Sequence, residues 1–388
     1  MRRVLLVAGL IGCGGGSGGS GDSGADASVD GPGTTCVREP AAADRVRHVV
    51  ISHPYTADSM RSNVWEVLDL SATGELSRPN KLFEMGRAYL GEVAFTRDGL
   101  IGIAPQEDGT LGIFKLDATG TPTVVHAAFK GSFYAARVVV APDGRIFVLD
   151  NQWRENGGGI YELSIDCDDT VSDLGLIAAA KLPAALEITA AGEWIVAARD
   201  IASSPAGADV HVAAPNAAAI VASGDAFADD MQIVGGATLT NDGSAFLVGD
   251  TSQYGDTPNR VAVVPVSGTS LGTPYMIPNV EDPLALHAHP FADKILVVSG
   301  FGDAMFQLTK TGGMWTSGGE LTYVGGKPQL PSGAVMIERG ALRGLVLVAE
   351  LDGVRRVEMF ASGTIVDRGN YSLGSGLPNT TGAIGVTP

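Results

Sequence analysis

The sequence predicts an all-β chain folded as a seven-bladed β-propeller whose two ends share one blade, and three observations carry that prediction. First, from Asp44 onward short runs rich in Val, Ile, Leu and Ala alternate with Gly, Pro, Asn and Asp turns, without a sustained helical period. Second, one cadence recurs: an apolar strand, a tight turn usually written Asp-Gly, a second strand ending near a polar residue, then two more strands. Its clearest copy is RVVVAPDGRIFVLDN, Arg137 to Asn151, with relatives starting at Glu92, Leu186, Ala237, Leu284 and Ala334. The turn falls at Gly99, Gly144, Gly192, Gly243, Lys294 and Gly344, in steps of 45, 48, 51, 51 and 50 residues. A period of about fifty residues with four short strands per unit is that of propeller blades, and residues 44–388 hold seven such units. Third, the final segment TGAIGVTP, Thr381 to Pro388, aligns with an innermost strand, whereas Asp44 to Pro54 aligns with a second strand. The termini therefore complement one another, which removes open sheet edges. Against this stands one alternative that shares the alternation, a pair of β-sandwiches or an irregular β-solenoid.

In chain order, Met1, Arg2 and Arg3 followed by the apolar run Val4 to Ile11 form an export signal too short to span a bilayer. Leu10, Ile11, Gly12 and Cys13 resemble the lipobox of bacterial lipoproteins. The resemblance implies removal of residues 1–12 as a signal peptide and acylation of Cys13, palmitate being one such acyl group. Acyl chains contribute about 0.8 kcal/mol per buried methylene, enough in combination to hold a domain on a membrane. Gly14 after the cysteine, by the same resemblance, points to the outer membrane. Residues 13–43 form a tether. Positions 14–35 hold no Leu, Ile or aromatic residue and cannot offset chain entropy by burial. As a flexible coil these 22 residues span roughly 25 Å, and the tract resembles the tethers of secreted myxobacterial lipoproteins.

The formal charge of −17 becomes −19 once Arg2 and Arg3 are removed, which argues against nucleic acid as a partner. With Cys13 lipidated, Cys36 and Cys167 remain, either as a disulfide tying the start of the domain to an outer loop or as two free thiols. Neither reads as a nucleophile: no basic residue adjoins them, and Cys167 lies among Asp166, Asp168 and Asp169.

At VAPDGRIFVLDN the sequence resembles the YVTN/lactonase-like and gluconolactonase-like propellers; WD and kelch signatures are absent. Such relatives include lactone hydrolases, surface-layer proteins and binding modules, so the fold does not choose a function.

The most suggestive candidates stand at the ends of the second strands: His53, Gln106, Asp150, Asp200, Asp250, Ser299 and Glu350. If they open around the axis, Asp150, Asp200, Asp250 and Glu350, with His53 on the rim, form a ligand site. The gluconolactonase-like resemblance would make such carboxylates ligands of a divalent cation, calcium or magnesium. Acidic residues also end strands at turns for purely local reasons. His287 and His289, two apart on an innermost strand, offer a weaker metal alternative, with Glu281 and Asp282 in the preceding loop. Glu92, Arg137 and Glu187 fall on or beside innermost strands and read as a structural ion network lining a wet channel. Two G-x-S-x-G matches, Gly15 to Gly19 and Gly268 to Gly272 around Ser270, lie in the tether and in a hairpin rather than on a strand-to-helix elbow. The sequence thus predicts a membrane-tethered extracytoplasmic module that binds an unknown small molecule or protein. A metal-dependent lactone or ester hydrolase and a surface-layer component are the competing classes.

Overall fold

A computed structural model describes residues 38–151, 158–198, 208–215, 219–227, 234–251, 260–300 and 302–388. Backbone contacts divide the chain into residues 1–35, which lie outside the described positions, and residues 36–388, the unit considered below.

Seven antiparallel sheets follow one another, each with the innermost strand first in sequence except at the closure. Blade 1 is built from Ile384–Val386, Arg47–Tyr55, Arg61–Leu70 and Leu76–Glu84. The innermost and second strands of the other blades are Ala94–Phe95 and Ile101–Pro105, Ala135–Val140 and Ile146–Asp150, Ala185–Ile188 and Trp194–Ala197, Val234–Leu239 and Ala245–Asp250, Pro283–Ala288 and Lys294–Ser299, and Gly333–Met336 and Leu345–Glu350. The expected shared blade is present. Val49, Val50 and Ile51 pair with Val386, Gly385 and Ile384. Ser52 N donates to Ala383 O at 3.0 Å and His48 N to Thr387 Oγ1 at 3.0 Å, so each end of the short terminal strand is pinned.

The turns explain the cadence. Gly99, Gly144, Gly192, Gly243 and Gly344 have φ of 67°, 95°, 86°, 66° and 91°, the left-handed region that glycine enters without a Cβ penalty. The Asp before three of them accepts a backbone N–H two residues on: Asp98 from Leu100, Asp143 from Arg145 and Asp242 from Ser244. In blade 6 the loop reads Pro290 to Asp293, and Lys294 already begins the second strand.

Seven apolar clusters among the described residues lie one at each blade-to-blade contact. The cluster of Val49, Ile51, Leu68, Leu347, Val354 and Ile384 joins blade 7 to blade 1, and a further cluster fills each of the other six junctions. Seven junctions for seven blades make a closed ring, since an open arc would have one fewer. Each fully buried Val, Ile or Leu contributes about 1.5–3 kcal/mol relative to exposure, so this packing holds the innermost strands in fixed register around the axis.

Residues 38–47 strap the turn face. Arg38 pairs with Asp98 (2.9 Å) and donates to Asp166 O (2.9 Å), Ala41 N donates to Arg97 O (2.8 Å), and Arg47 donates to Arg339 O (2.9 Å). Cys167 is disulfide-bonded, and its partner lies outside the described residues.

Candidate functional site

The described strand-end positions are closed to solvent: His53, Gln106, Asp150, Asp250, Ser299 and Glu350 are each at most 4% exposed. His53 is 3% exposed and therefore not on a rim, because its strand continues to Tyr55. Its Nε2 lies 2.9 Å from Glu66 Oε2, and Glu66 in turn accepts from Arg78 Nε at 2.7 Å. Burial pushes the Glu66 carboxyl up, but these two partners outweigh it and hold it below the usual carboxylate range. Asp250 faces Arg260, its cross-strand partner, at 3.2 Å. Glu350 accepts from Arg355 at 3.1 Å and from the backbone of Gln329 at 2.9 Å, and Arg355 also binds Asp367 at 2.8 Å. Burial, against the pull of Arg355, pushes Glu350 up. Gln106 bridges Thr110 and Ala127 O, Asp150 is buried with partners of its own, and Asp200 lies outside the described residues, as do Cys13 and Cys36. Among the described residues no three His, Cys, Asp or Glu side chains come together to hold a metal ion. These strand ends therefore do not fit a calcium or magnesium ion as they stand: at least two of their carboxylates face arginines.

The two histidines also part company. The strand ends at Ala288, so His289 leaves it: Phe291 N donates to its Nδ1 at 3.1 Å and Nε2 lies 3.4 Å from Thr364 O. His287 remains on the strand and faces the axis, where Glu92 and Arg137 act on it electrostatically.

The axis is where side chains from different blades meet. Arg137 of blade 3 forks Glu92 of blade 2, with Nη2 at 3.0 and 3.1 Å from the two carboxylate oxygens. Glu187 of blade 4 feels Arg137, Glu92 and Glu338, the last from blade 7. Glu187 is half-buried. Burial, reinforced by Glu338 and Glu92 and opposed by Arg137, pushes its carboxyl up to about 7. Burial lowers His287 to about 4, so its ring is neutral at neutral pH. One ring nitrogen bonds the backbone of Ala334, while Nε2 is sealed from solvent without a hydrogen-bond partner among the described residues. Five blades thus carry one arginine, three carboxyls and one imidazole on or beside their innermost strands, and of these Arg137 and Glu92 are within hydrogen-bond distance.

No protein-family model and no curated protein matches the chain. Solved structures do. A proposed 6-phosphogluconolactonase from Bacteroides fragilis matches with a TM-score of 0.60 at 14% identity, over 90% of this chain and 100% of its own. A second proposed 6-phosphogluconolactonase, from Bacteroides uniformis, gives 0.58 at 10% identity over 88% and 99%. A protein from Lactobacillus plantarum gives 0.57 at 11% identity over 88% and 100%. The chain shares the β-propeller fold of these proteins. At these identities the likeness is one of architecture and carries no activity across.

Two surface clefts on the propeller lie apart from the axial cluster. One, of about 230 Å3 between blades 7 and 1, gathers Arg343, Arg356 and Arg368. Glu75 and Glu358 already neutralise two of those arginines. The other, of about 320 Å3, is lined by Gln307, Glu320, Leu321 and Val366 at the edges of blades 6 and 7. Ser270 lies in an exposed hairpin, its residue pairing only with Ser267 across a two-residue turn.

Sequence reasoning singled out Glu92, Arg137, Glu187 and His287 but missed Glu338, the third-strand partners Glu66, Arg260 and Arg355, and Asp367 on the fourth strand of blade 7. A usable signal existed for the axis. Glu92, Arg137 and His287 each stand seven residues before the turn position of their blade, with Glu338 six before and Glu187 five before. Alignment on the turns therefore places all five near one level.

Proposed function

We propose that this protein is a lipid-tethered extracytoplasmic binding module whose small ligand enters the axial channel and meets Arg137, Glu187 and His287. The observation that carries the reading is the axial cluster itself. Glu92, Arg137, Glu187, His287 and Glu338 stand on or beside the innermost strands of five blades, Arg137 binds Glu92, and the Nε2 of His287 has no hydrogen-bond partner among the described residues. Buried polar atoms normally find partners, so an unmatched one aimed into a channel is a place for a ligand atom. The lipobox of Leu10 to Cys13 supports anchorage at the cell envelope, in the outer membrane. The acidic balance argues against nucleic acid. Cys36 is our candidate for the partner of Cys167, because Arg38 is held at the 166–169 turn by its bond to Asp166 O. The test is a thermal-shift panel of small metabolites on the wild type and on Glu187→Gln. Stabilising compounds whose effect is lost in the variant support the axial site, and hits that ignore the variant place the ligand elsewhere.

A second reading is a hydrolase of lactones or esters. The observation favouring it is a carboxyl pushed up to about 7, suited to moving protons at neutral pH, beside an arginine able to steady a developing oxyanion. Lactone hydrolysis measured with and without chelator separates this from binding alone. Turnover abolished by Glu187→Gln would establish it.

A further inference from the structure

The arginines of the propeller fall into two groups. Ten of the fifteen described ones pair with a carboxylate at 2.5–3.9 Å. The other five, Arg45, Arg47, Arg97, Arg339 and Arg343, have no carboxylate partner among the described residues, and all five lie on the turn face, along the strap and in the turns beside it. Backbone bonds tie their positions together. Ala41 N donates to Arg97 O at 2.8 Å, Arg45 donates to the carbonyl of Asp98, and Arg47 donates to Arg339 O at 2.9 Å. Arg343, in the same blade 7 turn as Arg339, donates to Pro290 O at 3.3 Å. Carbonyls are thus the only acceptors these guanidinium groups meet, and Arg47, 4% exposed, has its Nε sealed without a partner. The acids between the same turns, Glu39, Asp44 and Glu338, are exposed and fewer, and Asp98 is taken by Arg38. Beside the arginines stand exposed apolar side chains: Val46, between Arg45 and Arg47, is 64% exposed, Leu100 38% and Phe291 41%, with the Arg343 Cζ 5.0 Å from the Phe291 ring. Apolar side chains set among unneutralised basic ones suit the boundary between lipid headgroups and acyl chains. The opposite face is built otherwise. There Arg61, Arg87, Arg260 and Arg355 are bound to carboxylates, while Asp58, Asp108 and Glu281 are exposed. Second strands of five or six residues are about 17–20 Å long, roughly two Debye lengths at physiological salt. The acids of the far face are therefore screened from anything that lies on the turn face.

We propose that the turn face between blades 2 and 7 docks on a membrane surface of anionic lipids, with Arg45, Arg97, Arg339 and Arg343 meeting headgroup phosphates and Val46, Leu100 and Phe291 entering the interface. The occupant is a membrane because the chain joins the propeller on this face. Arg38 is held there by Asp98 and Asp166 O, each at 2.9 Å, and the sequence before it carries the export signal and the lipobox. A coil of the 22 residues at positions 14–35 spans roughly 25 Å, so an anchor at Cys13 keeps this face within reach of the bilayer. The proposal rests on the anchorage in the proposed function and adds an orientation to it: the turn face meets the lipid and the acidic strand-end face points away.

The test is co-sedimentation with vesicles of phosphatidylcholine alone and of phosphatidylcholine and phosphatidylglycerol in equal parts. The protein is the chain from Gly14 onward, which keeps every blade and lacks the apolar run and Cys13, so that neither signal nor acyl group contributes. Binding to the anionic vesicles should exceed that to the neutral ones at least about tenfold and be lost at about 0.5 M sodium chloride. Arg97→Glu combined with Arg339→Glu alters two side chains that make no hydrogen bond among the described residues, and should weaken binding at least about tenfold. Val46→Asp should weaken it as well, and Arg61→Glu, on the far face, should leave it unchanged; circular-dichroism melts establish that each variant is folded. Equal sedimentation with both vesicles, binding indifferent to salt, or a folded double variant that binds as the wild type does would overturn the proposal. So would association without vesicles that the double variant abolishes, since the face is then a contact between copies of the chain. Mass spectrometry of protein taken from the cell envelope tests the anchor separately. An acylated Cys13 without vesicle binding keeps the anchorage and removes the docking face, and an unmodified Cys13 without vesicle binding removes both.

Discussion

At the scale of single residues, the axial groups give the protein opposing pH responses. Glu187 is raised from the ordinary carboxyl range to about 7. Its protonated form is favoured by the fold, so its contribution is complete at low pH and is lost as pH rises from about 4.5 through 7. His287 is lowered to about 4. Its neutral form is favoured, so its contribution is present above about 6.5 and is lost as pH falls through 4. The two slopes cancel over most of the interval between. Relative to wild type, Glu187→Gln should therefore gain stability as pH rises across that window, by at most about 3 kcal/mol, and His287→Gln should lose it, as chemical denaturation at several pH values would show. Parallel curves for all three proteins would mean that neither group is perturbed. In blade 7, Arg355 is 3% exposed between Glu350 and Asp367. Arg355→Met leaves two carboxylates buried without their cation and should cost about 3–5 kcal/mol in urea unfolding, whereas a loss below about 1 kcal/mol would place the triad in solvent. Composition and turn spacing brought out the axial residues because they sit on strands whose phase the turns set. The strand-end carboxylates misled because a side chain's direction there depends on register with a third strand, which single-sequence periodicity does not carry.

At the scale of strands, the turns and the closing strand were legible because both rest on local chemistry: positive φ demands glycine, and an unpaired edge demands a partner. Less legible was how closely neighbouring innermost strands approach. A Cβ on Gly236 would lie 2.6 Å from Ala285 Cα, 2.8 Å from Leu284 O and 2.9 Å from Leu286 N, all backbone atoms of the next blade. Gly236→Ala should accordingly cost about 1–3 kcal/mol, since backbone cannot rotate aside as a side chain can. An unchanged urea midpoint would show that blades 5 and 6 have room to part. Removing residues 381–388 strips the inner edge of blade 1 and the bonds of Ala383 and Gly382 to Ser52. The shortened protein should aggregate and lose its single cooperative melt, which calorimetry and light scattering would follow.

At the scale of the whole molecule, the repeat length gave the blade count, and the seven apolar junctions are what make that count a ring. Pairing Cys36 with Cys167 would add a covalent loop of about 130 residues, and by the chain-entropy argument the bond contributes up to about 5 kcal/mol. Reduction, or Cys167→Ser, should lower the melting temperature without changing the fold, as circular dichroism would show; an indifferent melting temperature would mean that the bond constrains nothing in the unfolded chain. Closure through the last strand also sets an order of events. Ala383 and Thr387 bond to Ser52 and His48 across 331 and 339 residues of sequence. While a ribosome is still releasing the chain, blade 1 has three strands and no inner edge, and the junctions on both sides of it stay unfinished. Neither early synthesis nor fast local folding can complete the ring, so it stays unlocked until Ile384–Val386 has been made and has paired with Val49–Ile51.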